Sequence, residues 1–426
     1  MYTEESPLSP SRKTNSNITQ GPRLSLLRLS TFFAILLMAV SSLSAMPVIV
    51  SQTTSQVGPL ERTEWLVQAG PGLVDTFRMT RLRRPVPDHQ LRGAMLLLPS
   101  LGTNFALYEQ RDPNGGLGSA TAEFFALRKY DVWGYSPRFE GIPSGTCEAG
   151  LVDCSPMAGW NIQSMLDDIS FVRDQIELAN PGTGVVAGGL SLGGILAVAV
   201  ANDDGARYDG VFPWEGMLLS NDPQVQAMNA AYCAGLEAQI SAGLIFDGFG
   251  TGIFKAIAQK AAVAPDGPTT IPLFPPFLTN EQALIATLTQ PAPGPVSGPV
   301  PGYISTAPTP AGDELAFASR RKVLRNVLGT FNDYTPQPLV RDISCSLAGV
   351  ETAYTNNLAA FTGSVLMIGG GQAFGAYMDD QFDAFSGSGD KQLLVEPDFG
   401  HVDHFFTPQH RQFVEFPILQ WLNEIW

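Results

Sequence analysis

From about Thr63 the chain alternates between two kinds of apolar pattern, one suited to strands and one to helices. Thr76-Phe-Arg-Met-Thr-Arg-Leu82 alternates at period two and predicts a half-exposed strand. Gly93-Ala-Met-Leu-Leu-Leu-Pro99 is a continuous apolar run, as expected of a strand buried on both faces. Residues 119 to 128 read as helix, and Tyr130 to Tyr135 returns as strand. Met165, Ile169, Val172 and Ile176 recur at helical spacing between Asn161 and Asn180, with Pro181-Gly182 as the stop. Gly184 to Leu190 is a second buried strand, followed by a stretch from Gly193 to Val200 that is apolar on all sides and reads as a buried helix. Further strands are expected over Val211 to Ser220, Ser364 to Ile368 and Lys391 to Val395. A last helix shows Val414, Ile418, Trp421 and Ile425 on one face, with Pro417 at its start or at a kink. Such alternation is the pattern of an α/β fold with a mostly parallel sheet.

The alternation stops between Asp222 and Gly363. This stretch holds apolar helical segments and then the Pro/Gly-rich tract PAPGPVSGPVPGY, which cannot form regular structure. Two more strands follow it, so it reads as an insertion into the sheet domain. The expected organisation is a leader over residues 1–45, a core made of 46–222 and 363–426, and a cap over 223–362. Phe246, Phe249 and Phe254 make the first half of the cap apolar, for its own small core or for a hydrophobic substrate group.

Arg23 and Arg28 precede the uncharged run Phe32 to Val40, and the small residues Ser41, Ser42, Ser44 and Ala45 follow. Basic flank, short apolar core and small-residue exit describe an export signal cleaved near Ala45, for a secreted or periplasmic protein. The alternative is membrane contact through an uncleaved anchor over residues 32–50, against which Pro47 and the serines count. Lysine and arginine number 25 against 40 acidic residues, a formal charge of −15. That balance argues against nucleic acid or an anionic membrane surface as the main partner.

Export permits disulfides. Cys147 and Cys154 share a short loop whose length suits a local bridge, and Cys233 and Cys345 would then pair by elimination. Four cysteines allow three connectivities, and four buried free thiols are the other reading. No CxxC or His/Cys cluster suggests a metal.

The sharpest chemical signal is Gly189-Leu-Ser191-Leu-Gly193, a GxSxG between a buried strand and a buried helix. A serine on so tight a turn needs neighbours without side chains, and the turn aims the helix N-terminus at a developing oxyanion. A nucleophilic serine needs a base, and the chain has four histidines. His89 lies among charged residues and reads as surface, and His410 sits in a polar segment opening the last helix. Phe399-Gly-His401-Val-Asp-His404 follows the final strand, and His401, after a glycine that lets the loop turn, is preferred to His404.

These residues resemble the α/β-hydrolase superfamily, in particular its lipases and esterases, over residues 90–222 and 363–426. LLLPSLGTN resembles the oxyanion loop, KYDVWGYSPRFEG the next strand and its exit, GGLSLGG the nucleophile elbow, FGHVDHFF the histidine loop and EFPILQWL the final helix. The resemblance implies the order serine, acid, histidine, with oxyanion donors at Leu192 and Leu101. The usual His-Gly of the oxyanion loop reads Pro99-Ser100 here. The acid commonly follows the strand at Ser364 to Ile368, but this chain has Gly369-Gly-Gly-Gln-Ala373 there. A minority of the superfamily carries it one strand earlier, where Asp222 stands; Asp379 is the second choice, with Asp403 behind it.

The resulting expectation is an exported serine hydrolase that cleaves carboxylic esters with hydrophobic groups through an acyl-enzyme, without a cofactor. The competing readings are a serine aminopeptidase of the same fold, with Glu237 or Asp247 available to bind an amine, and a non-catalytic binding protein.

Overall fold

The computed structural model describes residues 46–247, 250–291, 299–308 and 314–426. The expected export signal therefore lies outside the described residues, as does Phe249.

A hairpin opens the fold: β1 (Val48–Val57) turns at Gly58, whose φ of +62° suits glycine, into β2 (Leu60–Gln68). β3 (Thr76–Arg83), β4 (Ala94–Leu97), β5 (Asp131–Ser136), β6 (Val185–Leu190) and β7 (Gly210–Trp214) follow. The two-residue strands β8 (Phe246–Asp247) and β9 (Thr335–Pro336) pair with each other apart from the main sheet. β10 (Ser364–Gly370) and β11 (Lys391–Glu396) complete it. The nine-stranded order is β1-β2-β3-β5-β4-β6-β7-β10-β11, antiparallel as far as β3 and β5 and parallel beyond.

The continuous apolar runs are explained by which face each residue takes. Along β6, Val185 and Ala187 enter one core while Val186 and Leu190 enter the other. In β10, Val365 and Met367 oppose Leu366 and Ile368 in the same way. Side chains alternate at period two, so a strand between two helix layers needs apolar residues at every position. α1 (Thr121–Leu127) packs in one of these cores through Phe124 and Phe125. α2 (Ile162–Ala179), capped reciprocally by Asn161 and Ser164, and α3 (Leu192–Asp204) pack in the other.

Between β7 and β10 come α4 (Pro223–Ser241), α5 (Gly250–Val263), α6 (Asn280–Thr289), α7 (Arg320–Thr330) and α8 (Gln337–Leu347). The chain closes on α9 (Phe416–Ile425), which Pro417 starts rather than kinks.

Two sequence expectations need correction. Strand β7 ends at Trp214, not Ser220, because Glu215 turns into a left-handed backbone conformation with φ of 51°. An anchor running through residue 50 is also not what the chain forms, since Val48 to Val50 lie in β1, hydrogen-bonded to β2. Among the described residues no helix is long and apolar enough to cross a membrane.

Cys147 bridges Cys154, and Cys233 on α4 bridges Cys345 on α8. The sequence separations are 7 and 112 residues. By loop-closure entropy the short bridge is worth about 2.5 kcal/mol and the long one about 5 kcal/mol. Mass spectrometry of unreduced protein should find both linked peptides. Denaturant unfolding should show the Cys233→Ser/Cys345→Ser pair costing more than Cys147→Ser/Cys154→Ser.

Candidate active site

Ser191 stands between β6 and α3 with φ 60° and ψ −117°, a strained conformation for a residue with a side chain. Its glycine neighbours are required by space. A Cβ at Gly189 or at Gly193 would fall 2.1 Å from the Leu98 carbonyl oxygen. Gly194 and Gly216 lie against each other's backbone, so the start of α3 touches the turn after β7. The Ser191 N–H donates to Trp214 O at 2.8 Å, tying the two turns together.

His401 comes from the loop after β11 and meets both turns. Its Nε2 lies 2.8 Å from Ser191 Oγ, and its Nδ1 lies 2.9 Å from Glu215 Oε2. A carboxylate can only accept, so Nδ1 carries the proton and Nε2 is left to accept from the serine hydroxyl. Glu215 is fully buried, and its other oxygen accepts from the Gly370 N–H. Burial pushes its carboxyl above the ordinary range, opposed by hydrogen bonds from His401 and from the backbone of Gly370 and Phe374.

The carboxylate on His401 is thus neither of those expected from the sequence. Asp222 instead caps α4, its Oδ1 accepting from the N–H groups of Gln224 and Val225 at 2.9 and 3.0 Å. Asp379 is exposed at the start of the short helix Asp379–Ala384. Asp403 is buried and accepts from Gly400 N–H, Ser305 and Thr306, which binds the histidine loop to the segment between β7 and β10. Glu215 was missed because the apolar run around it read as strand to Ser220. No local signal marks it: only in the folded sheet does Trp214 pair with Leu190, so that the residues after them, Glu215 and Ser191, leave the sheet side by side.

The other histidines separate cleanly. His89 is exposed. His410, in its polar segment, is buried, with Nε2 2.9 Å from Thr121 Oγ1 and 3.5 Å from Glu415 Oε1, and Nδ1 donating to His404 O at 3.0 Å. His404 is fully buried against the edge of Phe399, and burial lowers its pKa to about 3. It is a neutral packing residue.

Ser191 and His401 open on a cavity of about 700 Å³. Leu101, Leu192 and Phe374 line it, with Leu236, Phe254 and Ile343 among those from the segment between β7 and β10. Among the described residues no acceptor takes the backbone N–H of Leu192 or Leu101. Both residues line this cavity beside the serine, so both N–H groups are candidates to bind an anionic oxygen there.

No family model matches the chain, and no curated protein sequence matches it either. Solved structures do. A candidate lipase from Sulfolobus solfataricus superposes with a TM-score of 0.61 at 15% identity, covering 88% of this chain and 99% of that one. The chain has the α/β-hydrolase fold. A thermophilic esterase from Thermogutta terrifontis is similar at TM-score 0.43 and 15% identity, over 89% and 99% of the two chains. A monoacylglycerol lipase from Paleococcus ferrophilus is similar at 0.45 and 11%, over 79% and 95%.

The two carboxylates should separate by stability. Asp222→Ala removes a helix cap and should cost about 1 kcal/mol in urea unfolding. Glu215 has a raised folded pKa, so its protonated form favours the fold below the unfolded value near ~4.3, and that benefit is lost as pH rises. Melting temperatures across pH should therefore show Glu215→Gln gaining on the wild type from acid to neutral pH. A constant difference would contradict the raised pKa.

Proposed function

We propose that the chain is an exported serine hydrolase that cleaves carboxylic esters carrying a hydrophobic group. The observation that carries this reading is the hydrogen-bonded chain Ser191–His401–Glu215, at 2.8 and 2.9 Å, facing an apolar cavity of about 700 Å³. That volume falls in the range of small-molecule sites, about 300–1,000 Å³. Two disulfides are compatible with an oxidising, extracellular destination.

On this reading Ser191 Oγ attacks the ester carbonyl carbon while His401 Nε2 takes the hydroxyl proton. The carbonyl oxygen becomes an oxyanion held by Leu192 N–H and Leu101 N–H. Glu215 keeps the imidazole in the required tautomer and stabilises it when protonated. The intermediate collapses, the C–O bond breaks, and Nε2 returns its proton to the leaving alkoxide. Water, deprotonated by the same nitrogen, then attacks the acyl carbon; the bond from that carbon to Ser191 Oγ breaks, Nε2 returns its proton to the serine, and the acid is released. Side chains and backbone suffice, so no cofactor is required.

Residues 223–362 act as a cap whose apolar side chains receive the acyl or alcohol chain. Of the carboxylates considered for holding a free amine, Asp247 lines the cavity and Glu237 does not. A paired amine site is therefore missing among the described lining residues, which favours an ester over an aminoacyl substrate.

A panel of nitrophenyl esters and aminoacyl anilides tests the reading. Ester hydrolysis is expected, with kcat/KM rising about fourfold for each added methylene until the cavity is full, from ~0.8 kcal/mol per buried CH₂. Turnover of anilides alone would overturn it. Ser191→Ala should abolish both turnover and fluorophosphonate labelling.

Glu215→Gln should lower kcat by up to about ten-thousandfold with KM little changed, since an amide N–H facing Nδ1 selects the wrong tautomer. Asp222→Asn should stay near wild type. The reverse ranking would move the acid back to Asp222.

A further inference from the structure

β4 and β6 run side by side only as far as the pair Leu97 and Gly188, where Leu98 N–H still reaches Gly188 O at 2.8 Å. β6 continues for two more residues, Gly189 and Leu190, while the β4 chain peels away into the loop Leu98-Pro99-Ser100-Leu101. The Leu190 N–H faces that departing chain and would be buried without a partner, a loss of about 1–3 kcal/mol. Tyr108 fills the gap. It lies on the short helix Ala106–Glu109, is fully buried, and its hydroxyl accepts from Leu190 N–H at 2.8 Å while donating to Leu98 O at 2.7 Å.

We infer that Tyr108 is a positioning residue whose hydroxyl sets the spacing between the oxyanion loop and the serine turn. Resting on the serine-hydrolase reading, the inference concerns the two segments that carry the proposed oxyanion donors. One segment runs from Leu98 to Leu101; the other holds Leu190, Ser191 and Leu192. The Leu98 carbonyl is also the surface that Gly189 and Gly193 lie against, so one carbonyl and one hydroxyl locate the whole turn. A phenylalanine would fill the same space but leave Leu190 N–H and Leu98 O unpaired. Donors displaced by a fraction of an ångström bind a ground-state carbonyl about as well as before, and a tetrahedral oxyanion worse.

Tyr108→Phe should therefore lower kcat for a nitrophenyl ester about ten- to hundredfold, with KM within about twofold of wild type. Affinity for a trifluoromethyl ketone, which forms a tetrahedral oxyanion on the serine, should fall by a similar factor. Gly189→Ala cannot stand in for it, since that Cβ would lie 2.1 Å from Leu98 O as well as 2.6 Å from the Tyr108 hydroxyl. If Tyr108→Phe does not accumulate as folded protein, site-specific fluorotyrosine at position 108 keeps the ring and the hydroxyl but weakens the oxygen as an acceptor for Leu190 N–H, and should lower kcat and ketone affinity together by about twofold or more. A lowered melting temperature with unchanged kcat and ketone affinity would overturn the positioning role while leaving the hydrolase reading intact. A wild-type protein that neither hydrolyses esters nor labels at Ser191 would overturn that reading and, with it, the role of Tyr108.

Discussion

The register between β6 and β7 is the constraint on which the site depends. Leu190 pairs with Trp214, so the next residue of each strand, Ser191 and Glu215, leaves the sheet at the same level. Both turn into left-handed backbone conformations, with φ of 60° and 51°, and the two turns share the bond from Ser191 N–H to Trp214 O. Such conformations persist only where the surroundings over-determine them. Here the surroundings are Gly194 and Gly216 in mutual contact, with no room for a Cβ on either. A slip of one residue between these strands would carry the serine and the carboxylate apart and turn the side chains of the slipped strand to the opposite face.

The histidine loop is held beside this pair by contacts from the segment between β7 and β10. His401 N–H donates to Tyr303 O at 2.9 Å and Val402 N–H to Ile304 O at 2.8 Å. Asp403, held above its ordinary pKa by burial, gathers Ser305, Thr306 and Gly400 around its carboxylate. The segment from Tyr303 to Thr306 thus does for the histidine loop what β10 does for Glu215. Cys233 and Cys345 join α4 to α8, and both helices line the cavity. The segment between β7 and β10 therefore both lines the cavity and holds the histidine loop.

Burying Glu215 is unfavourable by itself, because a carboxylate loses its hydration there. The three donors around it, His401 Nδ1–H and two backbone N–H groups, offset that loss only while the sheet edge and the glycine-rich exit of β10 stay in place. A side chain on Gly370 would strike the backbone of Phe399 and Gly400, and one on Gly375 the backbone of Gly369 and Gly370. The glycine run that lacks an acid of its own therefore has a different use: it closes around the acid of the neighbouring strand.

The sequence by itself determined the fold class, the serine turn and the histidine loop, since these rest on local rules. Continuous apolar runs mark strands covered on both faces, and glycines flank a turn that has no room for side chains. The identity of the carboxylate was decided only in three dimensions. Nothing local separates Glu215 from the apolar run Val211 to Ser220, or Asp222 from an acid at a strand exit. Which of them reaches Nδ1 depends on where β7 stops pairing, and that is set by Ser191 N–H binding Trp214 O across the sheet. Asp222 lies seven positions beyond Glu215, and there its carboxylate answers to the nearest unpaired donors, the first turn of α4. The same holds for Tyr108, whose hydroxyl matters only because β4 and β6 part where they do. Partners drawn from distant parts of the chain are invisible to periodicity, because the packing of the sheet and not the spacing of residues brings them together.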